Sequence, residues 1–216
     1  MIKLEKIKTT PLPTIRRLTR YVSIIQKLKE EKTEYISSTE VANIMGIDPI
    51  QVRKDLEFTG ITGFPRLGFK TDELYAAIKE ILNWNNPKEA FLVGAGSLGQ
   101  AIIGYERFKS CGINIIAGFD SNPELIGKKV SKIEIFAVNK LPGLINRLNV
   151  KIGIICVPAS SAQNITDIMI DNGILAIWNF APIQVHVPSD IILENVQLSQ
   201  SLGILTHKLA QKLKAY

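Results

Sequence analysis

Two groups of residues in this chain have the types and spacing to do chemistry. Gly94-Ala95-Gly96-Ser97-Leu98-Gly99 follows the apolar run Ala90-Phe91-Leu92-Val93 directly, and a segment with Ala101, Ile102 and Tyr105 on one helical side comes after it. In such a strand–loop–helix unit Gly94 permits a tight turn, Gly96 lets the backbone approach a pyrophosphate, and Gly99 lets the helix pack on the strand. The helix start offers unpaired amides and a positive dipole end to phosphate. The glycine string alone is a weak signal. It is strengthened by Asp120, which closes the next predicted strand, Ile113 to Phe119, and stands 21 residues beyond Gly99. A carboxylate there binds a ribose diol and repels a 2′-phosphate, so NAD(H) is the expected cofactor. Gln51, Arg53 and Lys54 form the other group, at the amino end of a short predicted helix. Arg or Lys can read guanine and Gln can read adenine from the major groove.

The elements that must hold this second group are readable. Ile15, Leu18, Val22 and Ile25 recur at helical steps, with Arg16, Arg17 and Arg20 expected to project away from that stripe. Ser37 and Glu40 have capping-box spacing before a helix that stops at Gly46. Asp48 and Pro49 then restart a helix, with Gln51 expected to close a second box and Val52 and Leu56 to face the core. Two short helices around a glycine turn make a helix-turn-helix pattern. Ile61 to Phe69 reads as a two-stranded ribbon with Arg66 at its tip, the wing of a winged helix-turn-helix domain. The net charge is +6 and the pI about 9.3, and residues 1–20 hold Lys3, Lys6, Lys8, Arg16, Arg17 and Arg20 against Glu5 alone. Basic residues thus fall on the elements that would touch double-stranded DNA. A small protein-docking module with solubilising charges is the alternative.

Asn83-Trp84-Asn85-Asn86-Pro87 is the linker candidate, because the rhythm changes there from helices to alternating strands and helices. Further strands are expected at 132–137, 151–157 and 174–180. They imply an α/β, mainly parallel, Rossmann-type sheet whose ligands bind at the carboxyl ends of the strands. Cys156-Val157-Pro158-Ala159 and Asn179-Phe180-Ala181-Pro182 mark two of those ends and should border the crevice, although Phe180 serves equally well as core. Leu198, Leu202, Leu205, Leu209 and Leu213 form a terminal apolar stripe that either folds back on its own domain or is buried in a second subunit. The division expected is 1–86 for DNA, 87–196 for the dinucleotide and 197–216 for a dimerisation helix.

Several classes are disfavoured. The apolar runs are too short for a membrane span, and Met1 to Lys6 shows no apolar signal core, so a cytoplasmic protein is expected. Cys111 and Cys156 have no metal or redox spacing, and no metal site is expected. His186 and His207 lack neighbouring carboxylates, and no room remains for a substrate domain, so no catalytic residue is assigned. A small NAD-dependent oxidoreductase with a helical N-terminal extension remains the runner-up.

The order Ser37-Ser38, Gln51-Val52-Arg53-Lys54-Asp55-Leu56, Val93 to Gly99, Gly118-Phe119-Asp120, Val157-Pro158-Ala159, Asn179-Phe180-Ala181-Pro182 and Glu194-Asn195-Val196 resembles the Rex family of redox-sensing transcriptional repressors. The resemblance implies a homodimer with winged-helix DNA-binding domains, Rossmann NAD(H) domains and a terminal helix swapped between subunits. It further implies that NADH releases the protein from palindromic operators and that NAD⁺ permits binding. Arg16, Ser38, Gln51, Arg53, Lys54 and Arg66 are the DNA-contacting candidates on this reading. Two departures stand out. The wing Gly63-Phe64-Pro65-Arg66-Leu67-Gly68-Phe69 has lost a basic residue, and Gln197 replaces a carboxylate, which predicts a weaker or differently wired response to NADH.

Overall fold

The computed structural model describes residues 10–214. Contacts divide the chain into two units that meet between Asn86 and Pro87. Lys3, Lys6 and Lys8 of the basic cluster lie outside the described residues.

The first unit opens with α1 (Leu12–Glu30), β1 (Tyr35–Ile36), α2 (Ser38–Met45) and α3 (Pro49–Leu56). Ser37 caps α2 through both bonds of a capping box: its hydroxyl accepts from the Glu40 amide at 3.1 Å, and its own amide donates to the Glu40 carboxylate at 2.7 Å. Gly46, at φ +67°, ends that helix in the left-handed region. The second box does not form. Asp48 caps α3 by accepting from the Ile50 amide at 2.7 Å, while the Gln51 side chain turns to Asp55 instead. Leu18, Tyr21, Val22 and Ile25 of α1 pack with Val52 and Leu56 of α3 in one apolar core. Ile15, expected on that stripe, is only half-buried, and Thr14 takes the buried place.

The ribbon is smaller than the sequence suggests. A single antiparallel bridge joins Phe64 to Gly68, and Arg66 stands exposed at the tip with φ +66°. The returning segment, β2 (Phe69–Lys70), pairs with β1 and leads into α4 (Thr71–Ile81). Five residues are too few to make a ladder of their own, so the return strand takes its hydrogen bonds from β1.

The second unit runs β3 (Lys88–Val93), α5 (Ser97–Ile103), α6 (Arg107–Ser110), β4 (Ile113–Asp120), β5 (Lys129–Val130), β6 (Ile133–Ala137), α7 (Leu141–Leu148), β7 (Ile152–Ile155), α8 (Ala159–Asp171), β8 (Ala176–Asn179), β9 (Ile192–Asn195) and α9 (Leu198–Lys214). Its seven strands lie in the order β5-β6-β4-β3-β7-β8-β9, all parallel except β5. Apolar clusters form on both faces, one around Phe91, Phe119 and Ile155, the other around Leu92, Ile135 and Ile154. The chain winds outward from β3 through β4 to β6, then returns to place β7 on the other side of β3. That reversal opens a crevice at the carboxyl ends of β3 and β7. The edge strand β9 alternates exposed and half-buried positions, but its residues, Ile192-Leu193-Glu194-Asn195, do not alternate apolar and polar types, so the sequence does not announce it.

Candidate functional site

A cavity of about 640 Å³ lies at this switch point. Gly94, Gly96, Ser97 and Leu98 form its floor, Asp120 and Ser121 one end, and Val157, Pro158, Phe180 and Pro182 the opposite wall. Gly94 has φ +97°, and a Cβ there would meet the Cys156 carbonyl carbon at 2.6 Å. Only glycine lets the ends of β3 and β7 come this close. At Gly99 a Cβ would collide with the Gly94 carbonyl oxygen, so the residue serves helix–strand packing inside the loop. The Asp120 carboxylate faces the loop, accepting from the Ala95 amide at 2.6 Å and from the Asn122 amide at 2.8 Å. Each oxygen keeps a second lone pair for a ligand hydroxyl.

Nine of the thirteen residues expected at the cofactor line this cavity. Ala95, Gly99, Asn179 and Ala181 do not; all four are buried behind it. Asn179 is a brace: its amide nitrogen donates to the Ile183 carbonyl and to Asn195 Oδ1, both at 2.8 Å, and its own Oδ1 accepts from the Ala181 amide at 3.0 Å. This ties the Phe180–Pro182 turn to β8 and β9 and so aims Phe180 at the opening. Phe180 is therefore wall as well as core, packing against Trp178 with ring centroids 4.6 Å apart and the rings tilted by 59°. Cys156, part of the run expected to border the crevice, lines the cavity while Ala159 of that run does not, and Ser161 and Asn164, which carried no such expectation, line it too. The signal for Ser161 and Asn164 is their position, in the first two turns of α8, the helix that follows β7. Burial pushes the Cys156 thiol up to about 12, which makes it an inert wall group at neutral pH.

Neither histidine lines this cavity. His186 is exposed and is engaged through its backbone by Gln163, and His207 is exposed on α9. No group of histidine, cysteine and carboxylate residues suited to a metal occurs among the described residues.

The basic face of the first unit is built around α3. Arg53 and Lys54 are exposed on it, as is Arg16 on α1, while Ser38 is half-buried at the start of α2. Arg17 departs from the expectation that it projects outward. Its Nε donates to Asp55 Oδ2 at 2.6 Å and its Nη2 to Oδ1 at 2.7 Å, a bidentate pair. Asp55, only 1% exposed, also accepts from Tyr21 Oη at 2.8 Å, Thr14 Oγ1 at 3.1 Å and Gln51 Nε2 at 3.1 Å. Burial pushes this carboxyl up, but the bonds from Arg17, Tyr21 and Thr14 outweigh it and hold the group below its ordinary value of 3.8. Sequence spacing placed Gln51 and Asp55 one turn apart but carried no sign of the donors that α1 brings.

On α9, Leu202, Leu205, Leu209 and Leu213 are each more than half exposed. No helix among the described residues is long and apolar enough to cross a membrane.

Comparison with known proteins agrees with both halves of this layout. Residues 9–57 match the family model described as "Putative DNA-binding protein N-terminus", and residues 85–183 match the CoA binding domain. The redox-sensing transcriptional repressor Rex of Clostridium botulinum is 41% identical over 203 residues, covering 94% of this chain and 97% of its own. That of Treponema denticola is 40% identical over 202 residues, covering 94% and 96%. Among solved structures, the Rex-family repressor RSP superposes with a TM-score of 0.84 at 38% identity over 94% of each chain. Its complex with NAD⁺ and operator DNA superposes at 0.85, covering 95% of this chain and 97% of that one. Such similarity, sustained across both units, shows that the chain belongs to the Rex family of redox-sensing transcriptional repressors.

Proposed function

We propose that the chain is a DNA-binding repressor that senses the NADH/NAD⁺ ratio, NADH releasing it from palindromic operators. The single observation that carries the reading is the 640 Å³ crevice: a glycine loop at a helix start, a carboxylate at one end and an apolar wall at the other. RSP has been solved with NADH, and with NAD⁺ and operator DNA, at 38% identity to this chain. Gly94, Gly96, Ser97 and Leu98 are the pyrophosphate floor and Asp120 holds the adenosine ribose. Coenzyme A carries a phosphate on that ribose, which Asp120 would repel, so a dinucleotide fits better than the name of the matched domain suggests. When bound, the cofactor supplies the redox information; the chain's own groups supply the discrimination. Val157, Pro158, Phe180 and Pro182 surround the nicotinamide end, and an apolar wall favours the neutral reduced ring over the cationic oxidised one.

Residues 1–86 are the DNA-reading domain and residues 87–196 the NAD(H) domain, with Arg16, Ser38, Gln51, Arg53, Lys54 and Arg66 touching the duplex. The leucine face of α9 is covered by a second copy of the chain, giving a homodimer that matches a two-fold operator. The protein acts in the cytoplasm and catalyses no reaction. By linkage, operator DNA must weaken NADH affinity by the same factor by which NADH weakens operator affinity. A tenfold effect requires about 1.4 kcal/mol.

The test is duplex binding by the full chain at several salt concentrations, with NAD⁺ or NADH added separately, while Trp178 emission follows cofactor binding. Release by NADH alone is expected, with affinity falling steeply as salt rises. Equal duplex affinity with both cofactors, at saturating occupancy, would overturn the redox reading.

A further inference from the structure

The Asp55 cluster holds a feature that packing does not require. Of the five donors converging on this carboxylate, four belong to α1 and fasten that helix to α3. The fifth, Gln51 Nε2, comes from one turn earlier on α3 itself and adds nothing to the joint between helices. Gln51 is half-buried at the amino end of α3, beside exposed Arg53 and Lys54.

A glutamine amide left to itself can present either its oxygen or its nitrogen outward. Here the choice is removed. An ionised carboxylate can only accept, so the nitrogen must face Asp55 and Oε1 must face away. We propose that Asp55 is a positioning residue for base reading: it fixes the polarity of the Gln51 amide so that α3 selects adenine at one operator position. The outward edge then offers an acceptor, Oε1, beside the remaining N–H donor. Adenine presents the matching donor and acceptor, N6–H and N7, whereas guanine presents two acceptors, O6 and N7. A flipped amide would lose that match. The pair with Arg17 keeps Asp55 ionised when α3 is buried against DNA, so the polarity survives binding. This inference rests on the DNA-reading role of α3 proposed above.

The experiment uses the full chain and a palindromic duplex selected from a random-sequence pool, with every base pair then substituted in turn. The wild type should show an A·T preference of about tenfold at one position per half-site that Gln51→Ala abolishes. Asp55→Asn should abolish the same preference while leaving the Arg53-dependent position intact. In the Gln51→Ala background Asp55→Asn should have no further effect on that position. A uniform loss of affinity with the base preference retained would mean that Asp55 is merely structural and would overturn the proposal. Should Asp55→Asn fail to fold, side-chain amide resonances of the wild type decide. A Gln51 NH₂ group with shifted, ordered signals supports the tie, and a solvent-averaged one overturns it. Absence of any duplex binding by the wild type would instead sink the DNA-reading role itself, and this inference with it.

Discussion

The two units solve the problem of precise placement in opposite ways. In the first, every ion pair among the described residues is found, and a buried carboxylate with five donors locks α1 to α3. In the second, apolar layers cover both faces of a parallel sheet, and the crevice owes its shape to glycines where backbones nearly touch. Base edges are read by side chains, whose polarity must be set by directional bonds. A pyrophosphate is read by backbone amides, whose approach must be cleared of side chains. Each unit is therefore fragile at a different kind of position.

The sharpest way to break this contrast is Arg17→Met, which leaves the Asp55 carboxylate buried without its cation. Loss of one partner of a buried pair is expected to cost about 3–5 kcal/mol. Thermal unfolding followed by circular dichroism should show the helical unit melting early, with NADH binding by the second unit retained. Next in size is Gly94→Ala, which adds a methyl group against the Cys156 carbonyl and forces a left-handed backbone on alanine. About 3 kcal/mol of the second unit's stability should go, and calorimetric titration should find no NADH binding. If either variant damages both units alike, the contrast is wrong.

Asp120→Ala sharpens the picture on a smaller scale. Removing the ribose acceptor should weaken NADH about tenfold, or about 1.4 kcal/mol, without changing affinity for DNA in the absence of cofactor. It should also reduce the bias against NADPH. The smallest and most gradual effect is that of acid on the first unit. The Asp55 pKa is lower folded than unfolded, so its stabilisation is complete above the ordinary carboxylate value of 3.8. That stabilisation fades as the pH falls from there through the folded value. The helical unit should therefore lose melting temperature below about pH 4 in the wild type, and much less in a variant carrying Asp55→Asn.

Local rules made much of this molecule legible. The capping box at Ser37 and Glu40, the left-handed stop at Gly46, the glycine loop and the acid ending β4 each depend on neighbours in the chain, where spacing is sufficient information. Other features depend on what packs alongside. Asn179 and Ala181 belong to a motif that borders the crevice, yet they turn behind it because β9 supplies Asn195 as a partner. The wing strand borrows its hydrogen bonds from β1, pairing Tyr35 with Lys70 and Ile36 with Phe69, a long-range match that alternation cannot announce.

Sequence by itself thus settled where helices start and stop, which strand feeds the glycine loop, and which side chains carry charge. Tertiary structure alone decided that β7 returns beside β3 to open a crevice, and that Arg17, Tyr21 and Thr14 of α1 meet on Asp55 of α3. The reason is physical: caps and turns close over three or four residues, whereas a buried charge must gather donors from wherever the fold brings them.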